Sequence, residues 1–369
     1  MSRHESGHGG EVYAIARRAG ASPDSYLDFS SNANMFAAPI TAELAAATPY
    51  PFAHYPDSTA GELVEAIAAH EGVEAERILP GNGAAELIWL AVQALAPRKA
   101  LCVGPIFSEF VKAFQAYDIP YEVLATQAEN DFHCSDANLE LLWNSDADLV
   151  VLCTPNNPAG VTYENISHML QMLRAPRVLI DNSYREFLYG SESYAANHQN
   201  AYQQSARPGV SLFTLHSFTK FFCCPGIRLG YLMGDRIPLA RMAALRPSWT
   251  VSAFAQVMGR EFLRSVDRYR QTLPELYKAE AELARELRRL NCMRPERVFE
   301  GPGFVCCGLA QGLKASETYQ KLLKGRMLVR DCDSIPGMPP GFIRLRARAP
   351  EENARLVEAL EVLYINRSQ

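Results

Sequence analysis

No stretch of this 369-residue chain holds the roughly 18 consecutive apolar residues that a membrane-spanning helix requires. The opening Met1-Ser2-Arg3-His4-Glu5 leads into polar, glycine-rich sequence and lacks the apolar core of a secretory signal, so a cytoplasmic location is expected. Neither charge sign dominates: a formal net charge of −5 offers no attraction to nucleic acid or to an anionic membrane, and neither is expected as a partner. The nine cysteines lack the C-x-x-C spacing of a zinc site or redox dithiol, and the clustered ones are adjacent pairs, Cys223-Cys224 and Cys306-Cys307. No metal site is expected, and the thiols read as small core hydrophobes in a reducing compartment. Internal repeats, low-complexity tracts and obvious linkers are missing too.

What is present is an alternation of helical stretches with short apolar runs. Leu63–His70 and Ala85–Leu95 read as helices. The runs Ala100–Val103, Leu149–Cys153, Arg177–Ile180, Phe213–His216 and Leu229–Met233 read as strands. Apolar strands separated by helices predict an α/β fold with a mostly parallel sheet covered on both faces. Residues 1–39, with one helix from about Gly10 to Ala19, read as an arm associated with a smaller domain. Residues 40–255 form the expected large domain and 256–369 the small one. In the latter, Ala255–Leu290 has a helical period, Phe304–Gly308, Met327–Arg330 and Phe342–Leu345 are strand candidates, and Glu351–Tyr364 is an amphipathic helix.

The chemistry gathers at strand ends. Lys220 follows the run Phe213–His216, with Ser217 three and Thr219 one position before it and Arg228 eight after. A lysine between a small hydroxyl residue and an arginine suits a cofactor that needs an amine for its aldehyde and a cradle for its phosphate, as pyridoxal 5′-phosphate does. Asp181, 39 residues before Lys220, ends another strand and suits the cofactor's pyridine nitrogen. Tyr184, three residues further on, suits its phenolic oxygen, as does the amide of Asn157 in the turn Asn156-Asn157-Pro158. Gly83, Ala84 and Ala85 open an apolar helix whose free N–H groups can bind phosphate; the segment lacks the Gly-Lys-Ser/Thr of a nucleotide loop. Phe107 is a candidate to stack on the ring and Tyr55 to donate to the phosphate. All lie where ligands bind in open α/β sheets, outside the carboxyl ends of the strands. Lys220, Asp181 and Tyr184 are the expected catalytic residues.

With Asn157, Asp181, Tyr184, Lys220 and Arg228 in this order, the chain resembles the fold-type I pyridoxal-phosphate enzymes of the class I/II aminotransferase superfamily, from about His8 to Leu363. Two branches look close, the histidinol-phosphate aminotransferases and the threonine-phosphate decarboxylases of cobalamin biosynthesis. His8-Gly9-Gly10, the Leu27–Asn32 segment, Val329–Cys332 and Ile343-Arg344 are similar to the second. That resemblance implies decarboxylation of L-threonine O-3-phosphate or L-serine phosphate, with transamination of histidinol phosphate or a related amino acid as the alternative. It also implies a small phosphorylated amino acid held by His8, Gly9, Gly10, Asn32, Asn157, Arg330 and Arg344. A homodimer with shared active sites is implied as well, Tyr55 coming from the partner. Two arginines 14 residues apart suit a substrate with both carboxylate and phosphate. The chain departs from the family's pattern at Asn34-Met35, at Asn182-Ser183 and at Ser252, departures that bear on which substrate fits.

Overall fold

The computed structural model describes residues 9–50, 53–163 and 166–364. In chain order the strands are β1 (Leu27–Asp28), β2 (Ile78–Gly81), β3 (Ala100–Gly104), β4 (Tyr121–Ala125), β5 (Leu149–Cys153), β6 (Arg177–Asp181), β7 (Ser211–Ser217) and β8 (Gly230–Met233). They are followed by β9 (Met293–Gly301), β10 (Phe304–Leu309), β11 (Met327–Leu328), β12 (Arg330–Asp331) and β13 (Phe342–Arg346). A seven-stranded sheet has the order β2-β8-β7-β6-β5-β3-β4. Its neighbours from β7 to β4 are parallel, whereas β8 runs antiparallel to both β7 and β2.

Burial on both faces explains why the central strands are apolar at nearly every position. Val150, Leu152, Val178 and Ile180 point into one core with Tyr163 and Met169. Val151, Cys153, Leu179 and Leu215 point into another, built on the helix Gly83–Leu95. The expected mixed α/β architecture with a parallel-rich sheet is what the chain forms. Asp181, Ser217, Gly81 and Gly104 all stand at the last residue of their strands, which brings the loops that follow to one edge.

The second sheet, β12-β13-β10-β9, is antiparallel. Two expectations are corrected here. The helical stretch Ala255–Leu290 is three helices, Ala253–Arg264, Val266–Arg270 and Leu273–Leu287, interrupted at Ser265 and again before Pro274. A proline at that point fits only the first turn of a new helix. The run Met327–Arg330 is two strands in different sheets: β11 pairs in parallel with β1, and β12 pairs with β13. The arm is thereby stitched to the C-terminal part of the chain, and its helix is Val12–Arg18. Among the described residues no helix is long and apolar enough to cross a membrane.

Candidate active site

Lys220 lies in a single helical turn, Phe218–Phe221, directly after β7. Ser217 caps that turn, its Oγ accepting from Thr219 N at 3.3 Å and lying 2.7 Å from Thr219 Oγ1. Asn34 N donates to the Lys220 carbonyl at 2.9 Å, so the arm also holds the turn. Burial, then the charges of Arg344 and Arg228, push the Lys220 amine down to about 8, with Asp181 opposing them. A lysine with that acidity is partly neutral near physiological pH, as attack on an aldehyde requires.

Asp181 is buried at 5% exposure and accepts from Ser183 N at 3.0 Å. Burial raises its pKa, against the hydrogen bonds of Ser183 and the charge of Lys220. A buried carboxylate facing an amine suits a cationic ring nitrogen. Tyr184 is buried, and its hydroxyl accepts from Asn32 Nδ2 in a close contact. Burial pushes its phenol pKa upward, keeping it a neutral donor.

The phosphate cradle is visible in what a side chain would strike. Gly83, at φ +80°, starts the helix Gly83–Leu95, and a Cβ there would fall 2.5 Å from Arg228 Nη2. A Cβ at Gly230 would fall 2.9 Å from Ala84 N. The helix start and the guanidinium are therefore packed together, and the first turn of a helix carries free N–H groups suited to an anion. Arg228 is itself left-handed, at φ +58°, and donates to Pro225 O at 3.1 Å. Strain of this kind on a non-glycine residue gathers at binding sites. The amine, the acid and the anion cradle fit pyridoxal phosphate, with Lys220, Asp181, Asn157, Tyr184, Ser217, Arg228 and the Gly83–Ala85 backbone as the residues that would hold it.

Two arginines come together on neighbouring strands. Arg330 on β12 and Arg344 on β13 are register partners, both nearly buried. Arg344 touches Asn157 Oδ1, donates through Nη2 to Ser30 O at 2.6 Å, and has a buried Nε without a hydrogen-bond partner. Arg330 Nη2 donates to Ser334 Oγ at 3.1 Å, and burial, then Arg344, lowers its pKa. Gly10 N donates to Ser30 Oγ at 2.8 Å, and a Cβ on Gly9 would come within 3.4 Å of Arg344 Nη2 and 2.1 Å of Ser30 O. Gly9, Gly10, Asn32, Asn157, Arg330 and Arg344 thus converge, whereas His8 lies outside the described residues. Phe107 is half-buried against the core under the helix Gly83–Leu95. Tyr55 stands apart, 79% exposed and stacked on Trp249 with ring centres 4.7 Å apart.

Sequence reasoning missed Ser30 and Ser334, which hold the two arginines. Ser30 sat inside the singled-out Leu27–Asn32 segment, while nothing in the spacing marks Ser334. The departures from the family pattern fall into two kinds: Ser183 and Asn34 touch Asp181 and the Lys220 carbonyl, while the others are held in the surrounding framework. Asn182 is 2% exposed, donating to Asn197 O at 2.9 Å and accepting from the Tyr202 hydroxyl at 3.1 Å. Ser252 caps the helix Ala253–Arg264, accepting from Ala255 N at 3.1 Å. The Met35 sulfur receives the Cys223 thiol at 3.8 Å.

Residues 24–360 match the family model of the class I and II aminotransferases. The chain is 30% identical to the threonine-phosphate decarboxylase of Salmonella typhimurium over 98% of its own length and 97% of that protein's. It is also 30% identical to a histidinol-phosphate aminotransferase of Desulfitobacterium hafniense, over 84% of this chain and 83% of that one. Among solved structures, the L-threonine-O-3-phosphate decarboxylase of Porphyromonas gingivalis superposes with a TM-score of 0.73 at 22% identity, covering 92% of this chain and all of that one. The chain belongs to the class I and II aminotransferase family, as a pyridoxal-phosphate-dependent enzyme.

Proposed function

We propose that the enzyme decarboxylates L-threonine O-3-phosphate, or L-serine phosphate, to the corresponding amino alcohol phosphate in cobalamin biosynthesis. The observation behind this reading is the Arg330–Arg344 pair, two buried arginines at paired positions of neighbouring strands, close enough that Arg344 lowers the pKa of Arg330, with Arg344 touching Asn157. Like charges so placed repel unless anions sit between or beside them, and a substrate bearing both carboxylate and phosphate supplies two. The full-length similarity to a relative named threonine-phosphate decarboxylase supports the same substrate class.

Bound pyridoxal phosphate supplies an electron sink that weakens the bonds to the substrate's α-carbon. The chain's residues then decide which bond yields. Asp181 would keep a proton on the ring nitrogen, and Tyr184 with Asn157 would hold the phenolic oxygen. Arg344 and Arg330, steadied by Ser30 and Ser334, orient the anionic groups. Were they to align the bond to the carboxylate with that electron sink, CO2 would leave and a proton, supplied by Lys220, would take its place on the α-carbon. Were they to align the bond to hydrogen instead, Lys220 would take that proton and transamination would follow, the reading that the histidinol-phosphate aminotransferase relative favours. One methyl group separates the two decarboxylase substrates, a difference that a pocket discriminates only about 10- to 200-fold.

The same reading makes the enzyme a cytoplasmic homodimer with an arm at 1–39, a large domain at 40–255 and a small one at 256–369. His8 joins the substrate phosphate, and Tyr55 reaches the partner's cofactor phosphate. Support comes from the aromatic pair Tyr55–Trp249 left facing solvent. The test is to incubate the cofactor-loaded protein with each phosphorylated amino acid and follow CO2 and amine. Amino alcohol phosphate formed without a 2-oxo acid establishes the reading. Amino transfer from histidinol phosphate to 2-oxoglutarate, without CO2, overturns it.

A further inference from the structure

A charged cluster is buried directly behind Tyr184, outside the cofactor and substrate residues. Glu71 ends the helix Gly61–Glu71, and its side chain and that of Arg185 are 1% and 5% exposed. Arg185 Nη1 lies 3.1 and 2.9 Å from the two Glu71 oxygens. The Tyr231 hydroxyl donates to Glu71 Oε1 at 2.6 Å, and His198 Nε2 stands 3.1 Å from Oε2. Burial alone would raise the Glu71 pKa, yet His198, Arg185, His216 and His70 together hold it well below the usual range. Beyond Arg185, whose guanidinium lies 4.5 Å from the Tyr194 ring centre, Glu186 meets His70 and Arg270 at 3.4 Å each. Atoms of His70, Glu71 and Glu186 lie within 4.8 Å of one another. Arg185 and Arg270 already neutralise both carboxylates, so this is a closed charge cluster and not a cation site.

A buried ion pair contributes little net stability, because desolvating two charges offsets most of their attraction. Arg185 Nε is, besides, buried without a partner. The location gives the pair a different purpose. Arg185 follows Tyr184 in a turn closed by Arg185 N donating to Asn182 O at 3.0 Å. Tyr231 on β8 is the register partner of His216 on β7, and the rings stack at 4.5 Å and 2°. His216 in turn precedes Ser217. The Glu71 carboxylate is therefore shared by the turn that presents Tyr184 and the strand end that presents Ser217 and Lys220.

We propose that Glu71 and Arg185 are a positioning pair, fixing the Tyr184 phenol relative to the Ser217–Lys220 turn through one buried carboxylate. This rests on the reading of Tyr184 as a cofactor contact. The test follows the visible absorbance of the cofactor-loaded protein against pH. A phenol donating to an anionic cofactor oxygen favours the less protonated form, so loss of its aim moves the midpoint upward, by about one unit. The double variant Glu71→Leu/Arg185→Met removes both charges together, a replacement that buried pairs often tolerate. Tyr231→Phe removes only the hydroxyl that ties Glu71 to β8, and Tyr184→Phe sets the scale.

The expected result is an upward shift in all three, smallest for Tyr231→Phe, with the double variant melting near the parent. A shift in Tyr184→Phe alone overturns the positioning role and leaves the cofactor reading intact. No shift in Tyr184→Phe overturns the cofactor reading and the proposal with it. Should the double variant not fold, Tyr231→Phe decides in the same two directions.

Discussion

Gly83 and Arg228 are packed so closely that a Cβ on the glycine would lie 2.5 Å from the arginine's Nη2, at a backbone φ of +80°. Gly83→Ala therefore displaces the guanidinium and strains the helix start, at about 1–3 kcal/mol. Cofactor affinity should fall roughly 5- to 150-fold, with little change in the apo-protein's circular dichroism. Equilibrium titration with pyridoxal phosphate checks this, and an unchanged Kd would remove Gly83 from the cradle.

Lys220 sets an alkaline signature on the cofactor-free protein. Its folded pKa is lowered from 10.5 to about 8 by burial and then by Arg344 and Arg228. Between those values the unfolded chain still binds a proton that the folded chain has released, so stability rises with pH across that window. Below about 8 both states are protonated and the penalty is complete. Thermal melts of the apo-protein should show this rise, Lys220→Met should flatten it, and the same variant, once given cofactor, should lack the visible band of the loaded parent.

His216 gives the complementary acid signature. Burial lowers its pKa from 6.5 to about 4, partly opposed by Glu71. As pH falls from 6.5 towards 4 the unfolded chain takes up a proton that the folded chain refuses, and stability drops. His216→Phe, which keeps a ring against Tyr231, should reduce the slope of melting temperature with pH over that range.

Arg344 should matter more than its surroundings suggest, because its groups are buried and one of them is unpartnered. Arg344→Gln removes the charge at a cost of about 2–5 kcal/mol in substrate binding. A loss in kcat/KM of roughly 30- to 5,000-fold is expected. Ser334→Ala, which frees Arg330 from a single 3.1 Å hydrogen bond, should act chiefly on KM and by less than about tenfold.

Placing an acid at position 182 should harm the protein. Asn182→Asp sets a carboxylate against the Asn197 carbonyl, where an amide now donates at 2.9 Å. The expected destabilisation is about 1–3 kcal/mol, read by denaturant melts. A variant as stable as the parent would show that the Asn182 pocket can supply another donor.

Asp181 and Lys220 stand out in the sequence as candidates because each comes at or just after an apolar run, and parallel strands deliver such positions to one edge. Leu149–Cys153 was read at its observed limits. The strand β2 was not read, since Pro80 and Gly81 interrupt its pattern, and β9 exposes Arg294, Pro295 and Glu296 in succession. The division of Met327–Arg330 between two sheets is invisible locally, because the chain changes partners within one apolar run. Glu71 and Arg185 were beyond reach for a related reason: 114 residues separate them, and each alone reads as a solvated helix or turn residue.

The parallel pairing of β1 with β11 bears on how specificity can be moved between relatives. Through it, Ser30 and Gly10 are delivered to Arg344, whereas Lys220, Asp181 and Arg228 stand on elements within residues 78–233, with Asn34 N reaching across to the Lys220 carbonyl. On the proposed reading, exchanging residues 9–33 with those of a relative would alter the surroundings of Arg344 and keep Asn34, whose N–H holds the Lys220 turn. Substrate preference would then move with the N-terminal segment, while the sheet that carries the amine stays as it is.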